Sequence, residues 1–162
     1  MNRLVRMLDS PRAARALFNA YPPYLMTGIV VREITPDWRR VRVDMGLHWY
    51  NRNYFGTHFG ASLYGMTDPF YAIMLFRNLG PEYVVWDQGA VVDFVRPGKG
   101  RVSTEFELDE AMLDEVRAAT RDGQACRPEW PVEVRDAAGE VVARVMKRLY
   151  VRRKPTGQRP AD

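Results

Sequence analysis

Cysteine and histidine are scarce in this sequence, and their scarcity excludes several classes of protein. The 162 residues include one cysteine, Cys126, and two histidines, His48 and His58. A single cysteine excludes an internal disulfide framework and a multi-cysteine metal site, and two histidines argue against a histidine-rich one. We therefore expect neither a bound metal nor another cofactor.

Long hydrophobic runs are also absent. No stretch approaches the roughly 20 uncharged apolar residues that a membrane-spanning helix requires, which excludes a transmembrane protein. Residues 1–19 carry four arginines and one aspartate and lack the apolar block of a secretory signal peptide. We therefore expect a cytoplasmic protein with no membrane partner.

The composition is that of an ordinary globular protein. Hydrophobic residues make up 46% of the chain and charged residues 27%, which argues against intrinsic disorder. The length suits one domain with one core and is short for two. We predict a single domain over residues 1–154, with an N-terminal helical segment over 1–22, and a flexible tail over 155–162.

Positive charge is concentrated at the C-terminal end. The net charge is +4, yet residues 141–162 contain seven basic residues and one acidic residue, so the rest of the chain is slightly acidic. Such an end fits the phosphates of a nucleotide-containing ligand, a nucleic acid, or a solvated strand face with no ligand. The acidic body and the lack of aromatic residues among the tail arginines argue against a nucleic-acid partner.

The first part of the chain predicts a helix and a β-hairpin. Ser10-Pro11 is a favourable helix start, with Ser10 as the cap, and Tyr21-Pro22-Pro23 ends the helix after about residue 20. β-branched residues over 26–34 predict a strand, and the alternating residues 41–47 predict its partner. A loop rich in aromatic and amide side chains follows over 48–57.

The middle of the chain predicts the principal helix. Residues 57–78 carry an apolar face at helical spacing, with Thr57 as a plausible cap and a strong stop after Asn78. A second face at helical spacing consists of Ala61, Gly65, Asp68 and Ala72. Pro69 should bend this helix, because proline cannot donate a hydrogen bond and clashes with the preceding turn.

The second half predicts four strands with one helical insertion. Strands are expected over 83–96, over 102–108, around 132–134 and over 141–152, and Asp109 can cap a short helix that runs to about Arg121. Strict alternation in the first of these strands places on one face Val84, Trp86, Gln88, Ala90, Val92 and Phe94. We predict an α+β fold in which a curved antiparallel β-sheet is wrapped around the long central helix.

Four motifs along the chain carry a resemblance to a known superfamily. They are Asn53-Tyr54-Phe55-Gly56-Thr57; His58-Phe59-Gly60-Ala61-Ser62-Leu63 through Thr67-Asp68; Val92-Asp93-Phe94-Val95-Arg96-Pro97 with Gly98 and Gly100; and Gly139-Glu140-Val141-Val142-Ala143 with Lys147-Arg148-Leu149-Tyr150. In their order and spacing, over residues 20–153, they resemble the hotdog fold of the acyl-CoA thioesterase and dehydratase superfamily. The chain is most similar to an uncharacterised thioesterase-like branch and to the phenylacetyl-CoA-type thioesterases.

This resemblance implies an acyl-CoA or acyl-carrier thioester as substrate, hydrolysed at a dimer interface. It also implies a homodimer or a dimer of dimers, because hotdog proteins join two sheets into one, and an uncovered sheet edge in a small domain favours the same conclusion. The phenylacetyl-CoA type has His-Gly-Gly nine residues before its acidic residue. Here Phe59-Gly60-Ala61 occupies those positions, so Gly60 and Asp68 match by position and His58 lies one residue early.

Thioester hydrolysis needs a group that polarises the carbonyl and a group that activates water or attacks directly. The predicted helix start at Gly60 supplies the first through its unpaired N–H groups, and glycine allows close approach of the substrate. Asp68 is the candidate for the second, as general base or nucleophile, since aspartate is disfavoured inside a helix. The structural alternative is an aspartate that faces solvent or bonds to the backbone.

Three polar residues before the predicted helix are further candidates. His58 is a candidate for orienting water or bonding the thioester oxygen, and Asn53 and Thr57 are candidates for contacting the substrate. Each has a structural alternative: a neutral histidine bonded at the helix start, a turn-forming asparagine and a helix-capping threonine.

Strand and turn residues complete the candidate site. Trp86 is a candidate for lining an acyl channel, although aromatic residues on strands also form cores and subunit interfaces. Arg148, which alternates with Arg144 and Arg152 on the last strand, and Arg96 at a turn are candidates for binding the phosphates of CoA. A solvated strand face is the alternative for these arginines.

Two other functions remain open. The chain can be a non-catalytic module that binds an acyl thioester without turnover. A dehydratase would need a histidine and an acid, and His58 with Asp68 supplies such a pair, although on an ideal helix they lie about 80° apart around the axis. Acyl-CoA thioesterase is the leading hypothesis, and it depends largely on the resemblance.

Overall fold

The computed structural model describes residues 10–155, and the predictions for residues 1–9 and for the tail over 156–162 lie outside the described residues. Its helices are α1 (Pro11–Ala20), α2 (Pro22–Thr27), α3 (Gly60–Gly65), α4 (Phe70–Leu79) and α5 (Glu110–Ala119). Its strands are β1 (Ile29–Ile34), β2 (Arg40–Met45), β3 (Tyr83–Phe94), β4 (Val102–Glu107), β5 (Ala125–Cys126), β6 (Glu129–Asp136) and β7 (Val141–Arg153).

The strands form one antiparallel sheet whose inner face is covered by helix. Its order is β1-β2-β4-β6-β7-β3, and the short β5 pairs with β7. The α4 rings of Phe70 and Tyr71 have centroids 5.2 and 5.1 Å from that of Phe106 on β4. Tyr71 also lies 5.3 Å from Trp130 on β6. The predicted α+β class, a curved antiparallel sheet around a helical layer, is confirmed.

The helical layer is interrupted where one continuous helix was predicted. Helical structure begins at Gly60, stops after Gly65 and resumes at Phe70. Pro69 stands directly before α4, where its missing N–H costs no helical hydrogen bond, so the predicted bend is a full break. Asp68 therefore lies between two helices rather than within one, and the Asp68–Pro69 peptide bond is cis.

A short helix replaces the first part of the predicted strand over 26–34. Pro22 begins α2, and Gly28 ends it in the left-handed conformation at φ 73°. The strand starts only at Ile29, where the β-branched residues begin. This helix brings Tyr24 to the break between α3 and α4, where its hydroxyl donates a hydrogen bond to the backbone carbonyl of Asp68.

Two of the three predicted helix caps do not form. Ser10 stands at the N-cap of α1 but accepts no hydrogen bond from the helix through its side chain. Phe59, not Thr57, is the N-cap residue of α3. Asp109 behaves as predicted, because its side chain accepts a hydrogen bond from the N–H of Met112 at 2.8 Å.

A β-bulge changes which residues of β3 share a face. Asp87 pairs with Leu149 and Gly89 with Arg148, so Gln88 is an extra residue in the ladder. An extra residue reverses the alternation, and the predicted single face from Val84 to Phe94 is therefore wrong. Before the bulge the inner face carries the odd-numbered residues, including Asp87, and after it the even-numbered ones.

Candidate active site

Five of the predicted site residues line one cavity of about 420 Å³. The cavity lies between the loop that precedes α3, the start of α3 and the turn after β3. These residues are Asn53, Thr57, His58, Gly60 and Arg96. The sequence motifs on either side of the helical layer therefore meet in space.

Asn53 organises the loop on one side of this cavity. Its Oδ1 accepts hydrogen bonds from the N–H groups of Phe55 and Thr57 at 2.9 and 3.1 Å. Its Nδ2 donates to Thr57 Oγ1 and to the carbonyl of His58 at 2.9 and 3.1 Å. Because the whole amide is engaged in the loop, Asn53 and Thr57 shape the wall of the cavity in this state.

His58 joins the loop to the turn after β3. Its Nε2 lies 2.8 Å from the carbonyl oxygen of Gly100, and its N–H donates to the carbonyl of Gly98 at 3.1 Å. The ring is buried, and burial lowers the pKa of His58 although the bond to Gly100 acts in the opposite direction. His58 is thus a neutral anchor, and its Nδ1 has no hydrogen-bond partner among residues 10–155.

Gly60 is positioned where a side chain would close the cavity. A Cβ atom at this position would lie 3.0 Å from Cζ of Phe94, which stands at the end of β3. The glycine therefore permits the close approach of helix and strand, and it leaves the main chain at the start of α3 accessible from the cavity.

A second group of polar residues surrounds the end of α3. Lys147 on β7 donates a hydrogen bond from Nζ to Oδ1 of Asp68 at 3.0 Å. The same Nζ atom lies 3.0 Å from Oδ1 of Asp87 on β3 as an ion pair. The lysine side chain is 0% exposed, whereas those of Asp68 and Asp87 are 43% and 17% exposed. Asp68 is therefore the member of this Asp68–Lys147–Asp87 cluster that an external molecule can reach.

Burial and the neighbouring charges shift the pKa values of Asp87 and Lys147 within this cluster. Burial raises the pKa of Asp87 to about 6, because the lowering effect of Lys147 is opposed by the nearby charge of Asp68 as well. Burial alone would lower the pKa of Lys147, but Asp87 and Asp68 more than offset this, so it lies above its usual range. Lys147 is consequently a cation, and it is shared between two acids.

Two tyrosines enclose the cluster. The ring of Tyr64 on α3 has its centroid 5.1 Å from Lys147 Nζ, a cation–π contact. Tyr24 fixes the carbonyl of Asp68, and burial, with the charge of Asp68 in second place, raises the pKa of its hydroxyl far above the usual range. The backbone at Asp68 is therefore held on one side and its carboxylate on the other.

The remaining predicted residues lie elsewhere. Trp86 faces the outer side of the sheet, where its ring stacks on Tyr150 at 4.0 Å between centroids. Arg148 is on the same outer face, 4.0 Å from Glu129, and Arg144 pairs with Glu133 at 3.1 Å. Trp86 and Arg148 line neither the cavity nor the cluster within this chain, so their substrate contacts remain predictions.

Arg96 lines the cavity but is already paired. Its guanidinium lies 2.9 Å from Oδ2 of Asp136 and 3.7 Å from Oε2 of Glu140. His58 and Asp68, the pair considered for a dehydratase, share no hydrogen-bond partner in the described part of the chain, and neither lies within a helix. The helical angle expected between them therefore does not apply.

Lys147 and Asp87 are the residues that the sequence analysis missed. Lys147 lies on the inward face of β7 together with Ala143, Val145, Leu149 and Val151. A lysine among these alternating apolar residues was the sequence signal that could have identified it. No comparable signal existed for Asp87, because only the bulge turns it toward Lys147.

The described residues contain no group of three or more histidine, cysteine, aspartate or glutamate side chains that could hold a metal ion. In the same part of the chain, no helix has both the length and the apolar character needed to cross a membrane.

Residues 11–151 match the family model described as a domain of unknown function, DUF4442, and the chain belongs to this family. No curated protein sequence matches the chain.

Solved structures define the fold. A protein of unknown function from Pseudomonas aeruginosa, described as a probable thioesterase, is similar with a TM-score of 0.75 at 20% identity, over 90% of this chain and 99% of that one. A thioesterase from Haemophilus influenzae has a TM-score of 0.63 at 11% identity, over 93% and 95%. The PaaI protein of the Escherichia coli phenylacetic acid degradation operon has a TM-score of 0.56 at 14% identity, over 88% and 91%. The predicted hotdog fold is confirmed, and the structures that share it include proteins described as thioesterases.

Proposed function

We propose that this protein is a cytoplasmic acyl-CoA thioesterase that acts as a homodimer, with Asp68 as its general base. The observation that carries the proposal is the half-exposed carboxylate of Asp68, held by a buried lysine at the end of α3. A carboxylate that is fixed in place and still open to solvent can accept a proton from a water molecule. The likeness to structures described as thioesterases supports the same reaction class.

The reaction then proceeds in two stages. Asp68 removes a proton from water while the water oxygen forms a bond to the thioester carbonyl carbon, and the N–H groups at Gly60 stabilise the charge on the carbonyl oxygen. As the C–S bond breaks, the leaving thiolate takes the proton from Asp68. The products are a carboxylic acid and a free thiol, and the aspartate is regenerated.

The cavity beside Gly60 is the proposed site of the thioester. Its lining combines apolar side chains, such as Leu63 and Phe94, with the polar loop around Asn53, which suits an acyl group next to a polar carrier arm. Arg96 stands at the edge of the same cavity and is available to the phosphates of CoA if they displace its carboxylate partners. An acyl-carrier thioester is the alternative substrate with the same reacting group.

The two edges of the sheet support a dimer. At the β1 edge, Asn19 of α1 accepts a hydrogen bond from the N–H of Val31 at 2.7 Å and donates one to its carbonyl at 3.1 Å. At the β3 edge, no such side-chain hydrogen bond is found among residues 10–155, and β3 is twice as long as β1, with 12 residues against 6. A second copy of β3 is the natural partner for this edge.

Asp68→Asn tests the assignment. The amide keeps the shape of the side chain but cannot accept the proton, so we expect hydrolysis of acyl-CoA substrates to fall by about a hundredfold or more with little change in affinity. Rates over a panel of short to long acyl chains, with the folded fraction measured beside them, give the answer. Asp114→Asn on α5, a partly exposed aspartate outside the cavity, is the matched control and should keep the wild-type rate.

Equal rates per folded molecule in Asp68→Asn and wild type would contradict the role of Asp68. A non-catalytic acyl-binding module is the second candidate, and it is favoured by the position of Asp68, which is not among the residues that line the cavity. Tight binding of an acyl-CoA without hydrolysis of any member of the panel would establish this alternative.

A further inference from the structure

Lys147 transfers no proton in the proposed reaction, yet it places a charged ammonium group on the inner face of the sheet. Its side chain is fully buried, and its neighbours at inward positions of β7 are apolar. Transferring an ammonium group out of water is unfavourable unless partners of opposite charge compensate it. A residue needed only for packing at this position would be apolar, as at Val145 and Leu149.

The two contacts of Lys147 differ in kind. Its contact with Asp68 has hydrogen-bond geometry, whereas Asp87 faces the ammonium group as an ion pair, and neither oxygen of Asp87 has a hydrogen-bond partner in the described residues. Lys147 therefore donates its hydrogen bond to Asp68, and Asp87 compensates the charge of the ammonium group at the same distance of 3.0 Å.

We propose that Lys147 is a positioning residue that holds the solvent-accessible Asp68 carboxylate in one orientation, and that Asp87 is the counter-charge that keeps Lys147 in place. This inference rests on the proposed function. Lys147 transfers no proton in it, and the bonds formed and broken are those of the hydrolysis described above. The hydrogen bond to Oδ1 fixes the carboxylate, so that its remaining acceptor sites face the reacting water.

The inward position of Asp87 is related to the β-bulge at Gln88. Without the bulge at Gln88, the alternation of β3 would not allow Asp87 to share the inner face with Ala90 and Val92. The other groups around the ammonium are the ring of Tyr64 and the backbone at Asp68, which Tyr24 holds. Side chains from α2, α3, β3 and β7 thus contact either Asp68 or its partner Lys147.

A double variant separates positioning from stability. Lys147→Met alone leaves Asp87, which is 17% exposed, and the half-exposed Asp68 without their cation, so it can fail to fold. Lys147→Met combined with Asp87→Asn removes the cation and its counter-charge together and leaves the net charge of the cluster unchanged. Because an apolar and a neutral side chain replace a buried ion pair, we expect the double variant to fold at least as stably as the wild type.

The kinetic readout then tests the position of Asp68. With Asp68 free to rotate, we expect the kcat of the double variant for acyl-CoA hydrolysis to fall by about tenfold to a hundredfold while KM changes little. A double variant with wild-type kcat and a normal melting temperature would overturn the inference, while the hydrolysis itself would still stand. The same loss in Asp68→Asn and in the triple variant would show that Lys147 acts through Asp68.

A readout independent of turnover keeps the inference separate from the proposed function. Carboxyl ¹³C NMR of the full-length protein follows the titration of Asp87 in the wild type and in Asp68→Asn. If Lys147 holds Asp68 beside Asp87, Asp68→Asn lowers the ionisation midpoint of Asp87 by more when Lys147 is present than in a Lys147→Gln background, whereas Asp114→Asn leaves it unchanged. An equal shift in both backgrounds would contradict a positioning role of Lys147. An unchanged midpoint in Asp68→Asn overturns the inference; a wild type that hydrolyses no thioester overturns the proposed function, and a midpoint shift that depends on Lys147 then still supports the held Asp68.

Discussion

At the residue scale, the ionised form of Asp87 destabilises the folded state at neutral pH. Its pKa rises from 3.8 to about 6 because burial penalises the charged form. Between these two values the folded state binds more protons than the unfolded state, so the free energy of unfolding decreases as the pH rises. His58 acts in the opposite sense, because its lowered pKa means that stability is lost as the pH falls below its ordinary value.

We predict that a comparison of the wild type with Asp87→Asn isolates the contribution of Asp87 ionisation to the pH dependence of stability. As the pH rises from about 4 to about 6, the free energy of unfolding of the wild type should decrease relative to that of the variant, by at most about 3 kcal/mol. Denaturant unfolding at fixed protein concentration measures the difference, and the contribution of His58 cancels because both proteins contain it. If the free energy of unfolding of the wild type relative to the variant stays constant or increases as the pH rises, the ion pair with Lys147 outweighs the effect of burial on Asp87.

At the element scale, two side chains of α1 pair with the edge of β1. The amide of Asn19 pairs with both the N–H and the carbonyl of Val31 and so substitutes for a neighbouring strand. Arg15 supports the same edge by donating to the carbonyl of Arg32 at 3.0 Å. The helix thereby protects one edge of the sheet from pairing with other chains.

Asn19→Ala should destabilise the protein by about 1–2 kcal/mol, since two hydrogen bonds to a buried residue are lost. Asn19→Asp keeps the acceptor for the N–H of Val31 and loses the donor, so we expect an intermediate effect. The midpoints of urea unfolding rank the three proteins. Equal midpoints for the alanine variant and the wild type would show that water replaces the side chain at no cost.

A comparison of the predicted and observed helices and strands shows which features local sequence patterns can predict. Alternation and turn residues predicted β2, β4 and β7 to within two residues, because each of these strands buries one face along its whole length. The two features that no periodicity indicated are helix α2 and the bulge in β3. Prolines at 22 and 23 are equally typical of a helix end and of a helix start, and the bulge changes the register against β7, which is a partner distant in sequence.

At the scale of the whole molecule, the open edge of β3 is the feature on which the proposed dimer depends. Val91 lies in the middle of this strand and is 73% exposed, and the neighbouring Phe94 and Val95 are exposed as well. An exposed apolar edge strand of this length is rarely left uncovered in a soluble monomer. The same arrangement would bring a second copy next to the cavity that ends at Phe94.

Val91→Lys should therefore weaken the dimer, because it places like charges opposite each other across two paired β3 strands. Sedimentation velocity at micromolar concentration should give a dimer for the wild type and a shift toward a monomer of 18.7 kDa for the variant. Met26→Lys on α2, an equally exposed position at 71%, is the control and should remain dimeric. A wild type that sediments as a monomer would contradict the proposed dimer.

The sequence by itself determined the order of the main strands, the α+β class, the resemblance to the hotdog fold and the motifs that the structure brings together around Gly60. These follow from patterns within a few residues of each other, where propensity, periodicity and turn chemistry act. Tertiary structure alone decided that Asp68 lies between two helices beside Lys147 and Asp87. That contact joins residues 79 positions apart in the chain and depends on a bulge in a third segment, so it is set by strand register and burial, which no local pattern encodes.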